Sequence, residues 1–168
     1  MTNAELLTDA FGRIRDLVHR VVDGLSRDEL AARLDSEANS IGWLIWHLTR
    51  IQDDHIAHVA GTEQVWTSGG WATRFGLTLD AADTGFGHTP QQVAEVIVDA
   101  EPLRDYYDAV HAVTLGYVAH LTDVDLDRIV DERWDPPVTL GVRLVSIIVD
   151  DITHTGQAAF IRGILERR

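Results

Sequence analysis

Apolar residues along this chain recur at helical spacing, and capping and turn signals divide the recurrence into segments. Between Thr2 and Gly24, the residues Leu6, Leu7, Phe11, Ile14, Leu17, Val18, Val21 and Val22 share one helical face. "TNAE" has the capping-box form, Thr2 before Glu5, and Gly24 is placed as a stop. "SRDE" repeats the box at Ser26 and opens a short helical turn. Asn39 or Ser40 caps a second long helix through "IGWLIWHLTRIQDDHIAHVA", ending at Gly61. From Gly61 to His88 the period is lost. "GTEQVWTSGGWATRFG" and "LTLDAADTGFGH" are rich in Gly, Thr and Trp, and they predict a long ordered excursion of the kind that often carries function. "TPQQ" gives a third box with Pro90 at the first helical position. Pro102 is expected to break the pattern, leaving a short helix before it and a long one from Leu103 to about Leu121. "LTDVDLDRIVDERWDPP" is a polar connection, and a last long helix runs from Thr139 to the C-terminus. No segment has the pattern of a strand. Four long helices with polar connections predict an all-α four-helix bundle, a single domain over residues 1–168, with a long connection after the second helix.

Composition narrows what such a bundle can do. The chain has 168 residues, enough for a real core, and its 45% apolar content is ordinary. No apolar run reaches the roughly 18 residues of a membrane helix, and residues 1–25 lack a signal-peptide pattern, so the expectation is a cytoplasmic protein with no membrane partner. With 27 acids against 14 bases the formal charge is −13, which opposes binding to nucleic acid. There is no cysteine, so a transition-metal site would have to use histidine and carboxylate.

The last helix carries the chemical anomaly. Ile147, Asp150, His154, Ala158, Ile161 and Leu165 fall on one stripe, which places an aspartate and a histidine among aliphatic residues on a face expected to point inward. An ionised carboxylate there is costly unless a cation meets it: an arginine, a protonated histidine or a metal ion. Spacing by itself favours a hydrogen-bonded polar layer, in which Asp150 orients His154 or pairs with Arg143. On the second helix His47, between Trp46 and Leu48, offers a third ligand from a facing rod. His55 and His58 compete for that role; His55 lies nearer the centre of the apolar face, and periodicity does not choose among them.

"NSIGWLIWHL" in the second helix together with "HTGQAAFIRG" in the last resembles the DinB-like superfamily, which includes mycothiol-dependent isomerases and transferases and related bacillithiol-linked enzymes. The resemblance extends over essentially the whole chain. It implies a four-helix bundle holding a divalent metal by three side chains: a second-helix histidine matching His47, and two residues four apart on the last helix matching Asp150 and His154. Many members have histidine at the earlier of these two positions, and the mycothiol-dependent isomerases have Glu. Asp150 is shorter than either, and Asp151 stands beside it as a competitor. By similarity the metal is zinc or nickel, the cofactor is mycothiol or another small thiol, and a homodimer is expected.

Such a metal lowers the pKa of a bound thiol or water toward neutrality, supplying a nucleophile without a protein cysteine. A thiol-dependent transferase or isomerase acting on a small-molecule substrate is therefore expected, with hydrolysis by activated water as a close variant. The other class is a non-catalytic metal- or ligand-binding bundle protein. Trp66, Trp71, Arg74 and Phe75 of the excursion are candidates for lining or covering the mouth of the bundle. Gln157 and Arg162 fall off the metal stripe, and Arg162 is expected to pair with an acid at the helix end. His19, His88, His111 and His120 read as structural or surface residues. Asp54 reads as exposed, with support of His47 as its alternative role.

Overall fold

The computed structural model describes residues 1–167. Helix α1 spans Asn3–Val22, with the Thr2–Glu5 box closed in both directions. A single turn, α2 (Arg27–Ala31), is closed by Ser26 and Glu29 in the same way. Ser40, not Asn39, caps α3 (Ile41–Ala60) by accepting from the Trp43 amide, and Gly61 ends it with φ +69°. The left-handed turn at Gly61 is one that glycine adopts without steric cost.

The excursion holds two short helices, α4 (Val65–Ser68) and α5 (Trp71–Phe75). Helix α6 (Pro90–Glu95) follows its Thr89–Gln92 box. Helix α7 runs from Ala100 to Val118, so Pro102 sits in its first turn and does not break it. There the missing N–H has no intrahelical acceptor to lose. Helix α7 also stops three residues short of the expected Leu121. Within the polar connection a strand β1 (Ile129–Asp131) pairs antiparallel with β2 (Val138–Thr139), immediately before α8 (Leu140–Leu165). This hairpin is absent from the sequence expectation because a ladder this short leaves no measurable alternation.

Helix α3 packs against α7 and α8, and α1 packs against the same two, so α1 lies diagonal to α3. Phe11, Ile14 and Val18 of α1 meet Leu44, Ile45 and Leu48 of α3, Tyr106 and Val110 of α7, and Leu144 and Ile147 of α8 in one continuous core. Arg162 secures the far end: its Nη1 donates to the carbonyls of Arg20, Val21 and Asp23, which end α1, and its Nε pairs with Glu166 at 2.7 Å. The acid partner expected for Arg162 is thus present. The additional capping of α1 depends on a contact between chain ends that spacing does not reveal. Among the described residues no helix is long and apolar enough to cross a membrane.

From Ser40 to Arg50 every residue is buried, a full three turns with no solvent face. Helices α7 and α8 cover two sides of this stretch, α2 packs on it, and the excursion covers the rest. Histidine and arginine within it are therefore inside the protein whichever way they point, and the helical period there loses its power to separate inward from outward.

Candidate metal centre

His47, Asp150 and His154 converge between α3 and α8. Each offers one ligand atom, and these three atoms lie within 4.8 Å of one another. The two imidazole rings are 5.0 Å apart at an interplanar angle of 75°, edge to face. Asp150 and His154 share a helical face one turn apart, with Asp150 Oδ1 3.5 Å from His154 Nε2.

Each ring is held by its other nitrogen. His47 Nδ1 donates to the Thr84 carbonyl at 2.5 Å, and His154 Nδ1 donates to Gln157 Oε1 at 2.9 Å. A ring that donates from Nδ1 keeps the lone pair on Nε2, and that atom faces the cluster. This is the arrangement that fixes tautomer and rotation in histidine ligands of metals. Trp43 supports the geometry from the side: its indole stacks on His47 at 4.6 Å and 13°, and stands edge-on to His154 at 6.3 Å.

The Thr84 carbonyl is itself held in place. Asp83 accepts from the Gly85 amide and from His88 Nε2 at 2.9 Å, while Trp43 Nε1 donates to His88 Nδ1 at 3.1 Å. Gly85 takes φ +84°, and a Cβ there would lie 2.8 Å from Trp46 and 3.0 Å from His47 Nδ1. Only a residue without a side chain lets the loop come this close to the histidine. His88 is thus a structural residue, as its sequence context suggests, with the specific task of bracing the loop that orients His47. Gln157 lies off the metal stripe as expected, yet it reaches His154 because residues three apart on a helix are neighbours. The Thr84 contact had no sequence signal, since any residue type has a carbonyl.

Electrostatics at the cluster are opposed. Burial lowers the pKa of His47, against the raising effect of the Thr84 hydrogen bond. The Asp150 interaction raises that of His154, against burial. Asp150 Oδ2 is buried and has no hydrogen-bond partner among the described residues. A divalent ion fits this donor set: two imidazoles whose Nε2 atoms face inward, where an ion would take the place of the proton that Asp150 favours on His154, and one carboxylate oxygen without a partner.

The competing ligands go elsewhere. His55 accepts from Arg143 Nη1 at 3.2 Å, and Arg143 Nη2 donates to Asp131 at 3.0 Å. Burial, followed by Arg143, lowers the His55 pKa, so its lone pair is used on the guanidinium. This also removes Arg143 as a partner for Asp150. His58 is exposed, its ring 3.5 Å from the Val130 carbonyl. Asp151, one step round the helix, is fully buried, and burial raises its pKa well above the ordinary carboxylate range, with Asp150 adding to the shift. Asp54 accepts from Gln64 at 2.7 Å and lies 3.7 Å from His55, so it does not support His47.

The excursion residues form a separate group. Trp66 and Trp71 are buried against Tyr106, with ring centroids at 5.1 and 5.6 Å. Phe75 stands edge-on to Trp66 at 5.1 Å, and exposed Arg74 lies over the Trp71 face at 4.5 Å. The three aromatic residues pack the excursion onto Tyr106 of α7, and Arg74 covers Trp71 from outside.

A sequence profile of the DinB superfamily matches residues 10–158. Among solved structures, the chain is similar to a conserved protein from Enterococcus faecalis, with 30% identity, a TM-score of 0.93, and coverage of 100% of this chain and 99% of the other. No protein with a curated description matches.

Proposed function

The chain belongs to the DinB superfamily, and from that premise we propose that it is a metal-dependent enzyme acting on a small molecule. His47, Asp150 and His154 would hold a divalent ion, zinc or nickel, and a low-molecular-weight thiol such as mycothiol would be the cosubstrate. The observation that carries this reading is the paired orientation of the imidazoles: each Nδ1 is occupied by a carbonyl oxygen, so both Nε2 lone pairs are available beside an unpartnered carboxylate oxygen. Only His154 Nε2 and Asp150 Oδ1 approach one another, at 3.5 Å, and Asp150 Oδ2 stays without a partner, which a closed structural polar layer would not leave.

When bound, the ion supplies Lewis acidity that brings a thiol or water toward deprotonation near neutral pH. The chain's own residues supply position and environment. Thr84 and Gln157 fix the two rings, Trp43 covers one side of His47 with an apolar surface, and Asp150 contributes a single negative charge. With a single carboxylate in the set, the chain would leave a bound divalent ion's charge only half neutralised, an environment that would favour the anionic form of a thiol. Attack of such a thiolate on an electrophilic carbon, with the displaced group leaving on its own electron pair, or attack by water in its place, would call on the same residues. The absence of cysteine is consistent with a nucleophile brought by the cosubstrate.

The test is metal analysis of protein purified without chelator, followed by turnover of an electrophilic model substrate with and without mycothiol. Stoichiometric metal, loss of that metal in His154→Ala and turnover that requires the thiol support the reading. Metal-dependent hydrolysis without a thiol effect selects the water variant. Bound metal with neither activity identifies a metal-binding protein and overturns the enzyme assignment.

A further inference from the structure

Of the four aromatic residues in the excursion, three are used by the fold and one is not. Trp66, Trp71 and Phe75 pack around Tyr106, whereas Phe86 is 88% exposed. A single apolar residue in solvent is ordinary by itself. The position of this one is not. The Gly85 carbonyl accepts from the His88 amide at 3.1 Å, and Gly87 takes φ +77°, which makes Gly85–His88 a type II turn with Phe86 at its first corner. Such a turn calls for glycine at position 87 and for nothing aromatic before it. The turn is also held in place: the Thr84 carbonyl is bonded to His47, Gly85 lies against Trp46 and His47, and Asp83 pairs with His88 at 2.9 Å.

The backbone at Phe86 is therefore fixed beside the candidate metal centre while its ring is left in solvent. A Cβ at Gly85 would lie 3.0 Å from His47 Nδ1. The next Cα follows at about 3.8 Å, so the Phe86 backbone is within about 9 Å of that ring. The cluster itself is open to solvent, since the side chains of Asp150 and His154 keep 30 and 18% exposure.

We infer that Phe86 is a specificity-determining residue, packing on the aromatic or flat apolar body of a small ligand whose polar atoms bind the metal. This assignment rests on the metal reading. A metal engages only the donor atoms of its ligand, so the rest of the molecule lies along whatever borders the centre. Thr84, Gly85 and Gly87 offer little side-chain surface, and Phe86 is the apolar surface of that loop. An uncovered phenyl ring is best met by another ring, offset or edge-on. Size selects a small molecule over a protein partner: one ring between two glycines presents on the order of 200 Å², a fraction of the roughly 800 Å² that each side of a standard protein interface contributes. The formal charge of −13 opposes an anionic lipid surface.

Benzohydroxamate and acetohydroxamate test the assignment, because both chelate a divalent ion through the same pair of oxygens and differ only in phenyl against methyl. Calorimetric titration of the zinc-loaded full chain is expected to show tighter binding of benzohydroxamate. Phe86→Ser is expected to weaken benzohydroxamate about 10-fold, as for uncovering part of a phenyl ring, and to leave acetohydroxamate within about twofold. Phe86→Trp is expected to retain the preference for the aromatic probe. Zinc affinity and melting temperature of Phe86→Ser should match those of the wild type. Unchanged benzohydroxamate binding in Phe86→Ser, or equal weakening of both probes, would overturn the inference while leaving the metal reading intact. Loss of zinc affinity in Phe86→Ser would also overturn it, by making Phe86 a support of His47. A wild-type chain that binds no zinc or nickel would remove the metal reading and this inference together, and metal analysis before titration tells that failure from the others.

Discussion

Two polar clusters lie along the first three turns of α3, and they resolve buried charge in different ways. The Arg50 cluster is closed. Its guanidinium is fully buried, yet it donates to the carbonyls of Asp83 and Ala81, to Gln64 Oε1 and to the Tyr106 hydroxyl, and it lies over the Trp66 ring. Asp53, 3.8 Å from Arg50, accepts from the Val65 and Trp66 amides and from Tyr106. Burial pushes the Asp53 pKa up, and these three donors with Arg50 oppose it. The His47 cluster is open. Its outer atoms are partnered, but its inward ring nitrogens and a carboxylate oxygen are left facing one another. A closed network needs nothing further and serves stability. An open one, held rigidly from outside, is organised for a ligand.

Asp53→Ala separates the clusters most sharply. It strands Arg50 and two backbone amides, and should cost about 3–5 kcal/mol in urea unfolding. Asp150→Ala, measured in chelator, should cost far less or even stabilise, because one carboxylate oxygen lacks a donor and the other has only the 3.5 Å contact with His154 Nε2. Equal losses would erase the distinction between the two clusters. Next in size is the ligand effect. Zinc or nickel at about 1,000 times its dissociation constant should stabilise the wild type by about 4 kcal/mol, visible as a higher melting temperature, and should leave His154→Ala unmoved.

Gly85→Ala probes the bracing loop. The new methyl group meets Trp46 and His47 Nδ1 on a backbone that disfavours side chains, so metal affinity should fall about 10- to 100-fold in a competition titration. Gln157→Ala removes the partner of His154 at an exposed position and should cost affinity by about tenfold or less. If Gln157→Ala weakens metal binding more than Gly85→Ala, the loop is not the main support of the site.

The smallest expected effect concerns pH at the foot of α8. The side-chain hydrogen bond from Arg133 holds the Asp131 carboxyl well below its ordinary range, with further lowering from the Arg133 amide and Arg143. A carboxyl with a depressed folded-state pKa contributes stability above its unfolded value and loses it as pH falls toward the folded one. The melting-temperature gap between wild type and Asp131→Asn should therefore be present at about pH 7 and narrow below about pH 4. A gap independent of pH would mean that the Asp131 contacts act by packing.

Local chemistry made much of this legible without coordinates. Capping boxes at Thr2, Ser26 and Thr89 mark helix starts that the structure reproduces, because each is a contact between residues three apart. Asp150 and His154 were conspicuous for the same reason: two polar residues one turn apart on an apolar stripe need no tertiary information to be noticed. Pro102 misled because a proline in a first turn and a proline that breaks a helix look alike until the helix start is known.

The sequence by itself determined four long helices, their order, and the oddity of charge on the inner stripe of the last one, since these follow from periods and short-range hydrogen bonds. Periodicity left His47 and His55 open and the resemblance implied His47; only the tertiary structure gives the physical reason that His55 stays out of the cluster. That outcome depends on Arg143 taking the His55 lone pair across 88 residues of chain, and on the Thr84 carbonyl arriving from a loop that folds back over α3. Contacts between groups so distant in the chain, one of them a carbonyl that every residue carries, leave no mark in local pattern.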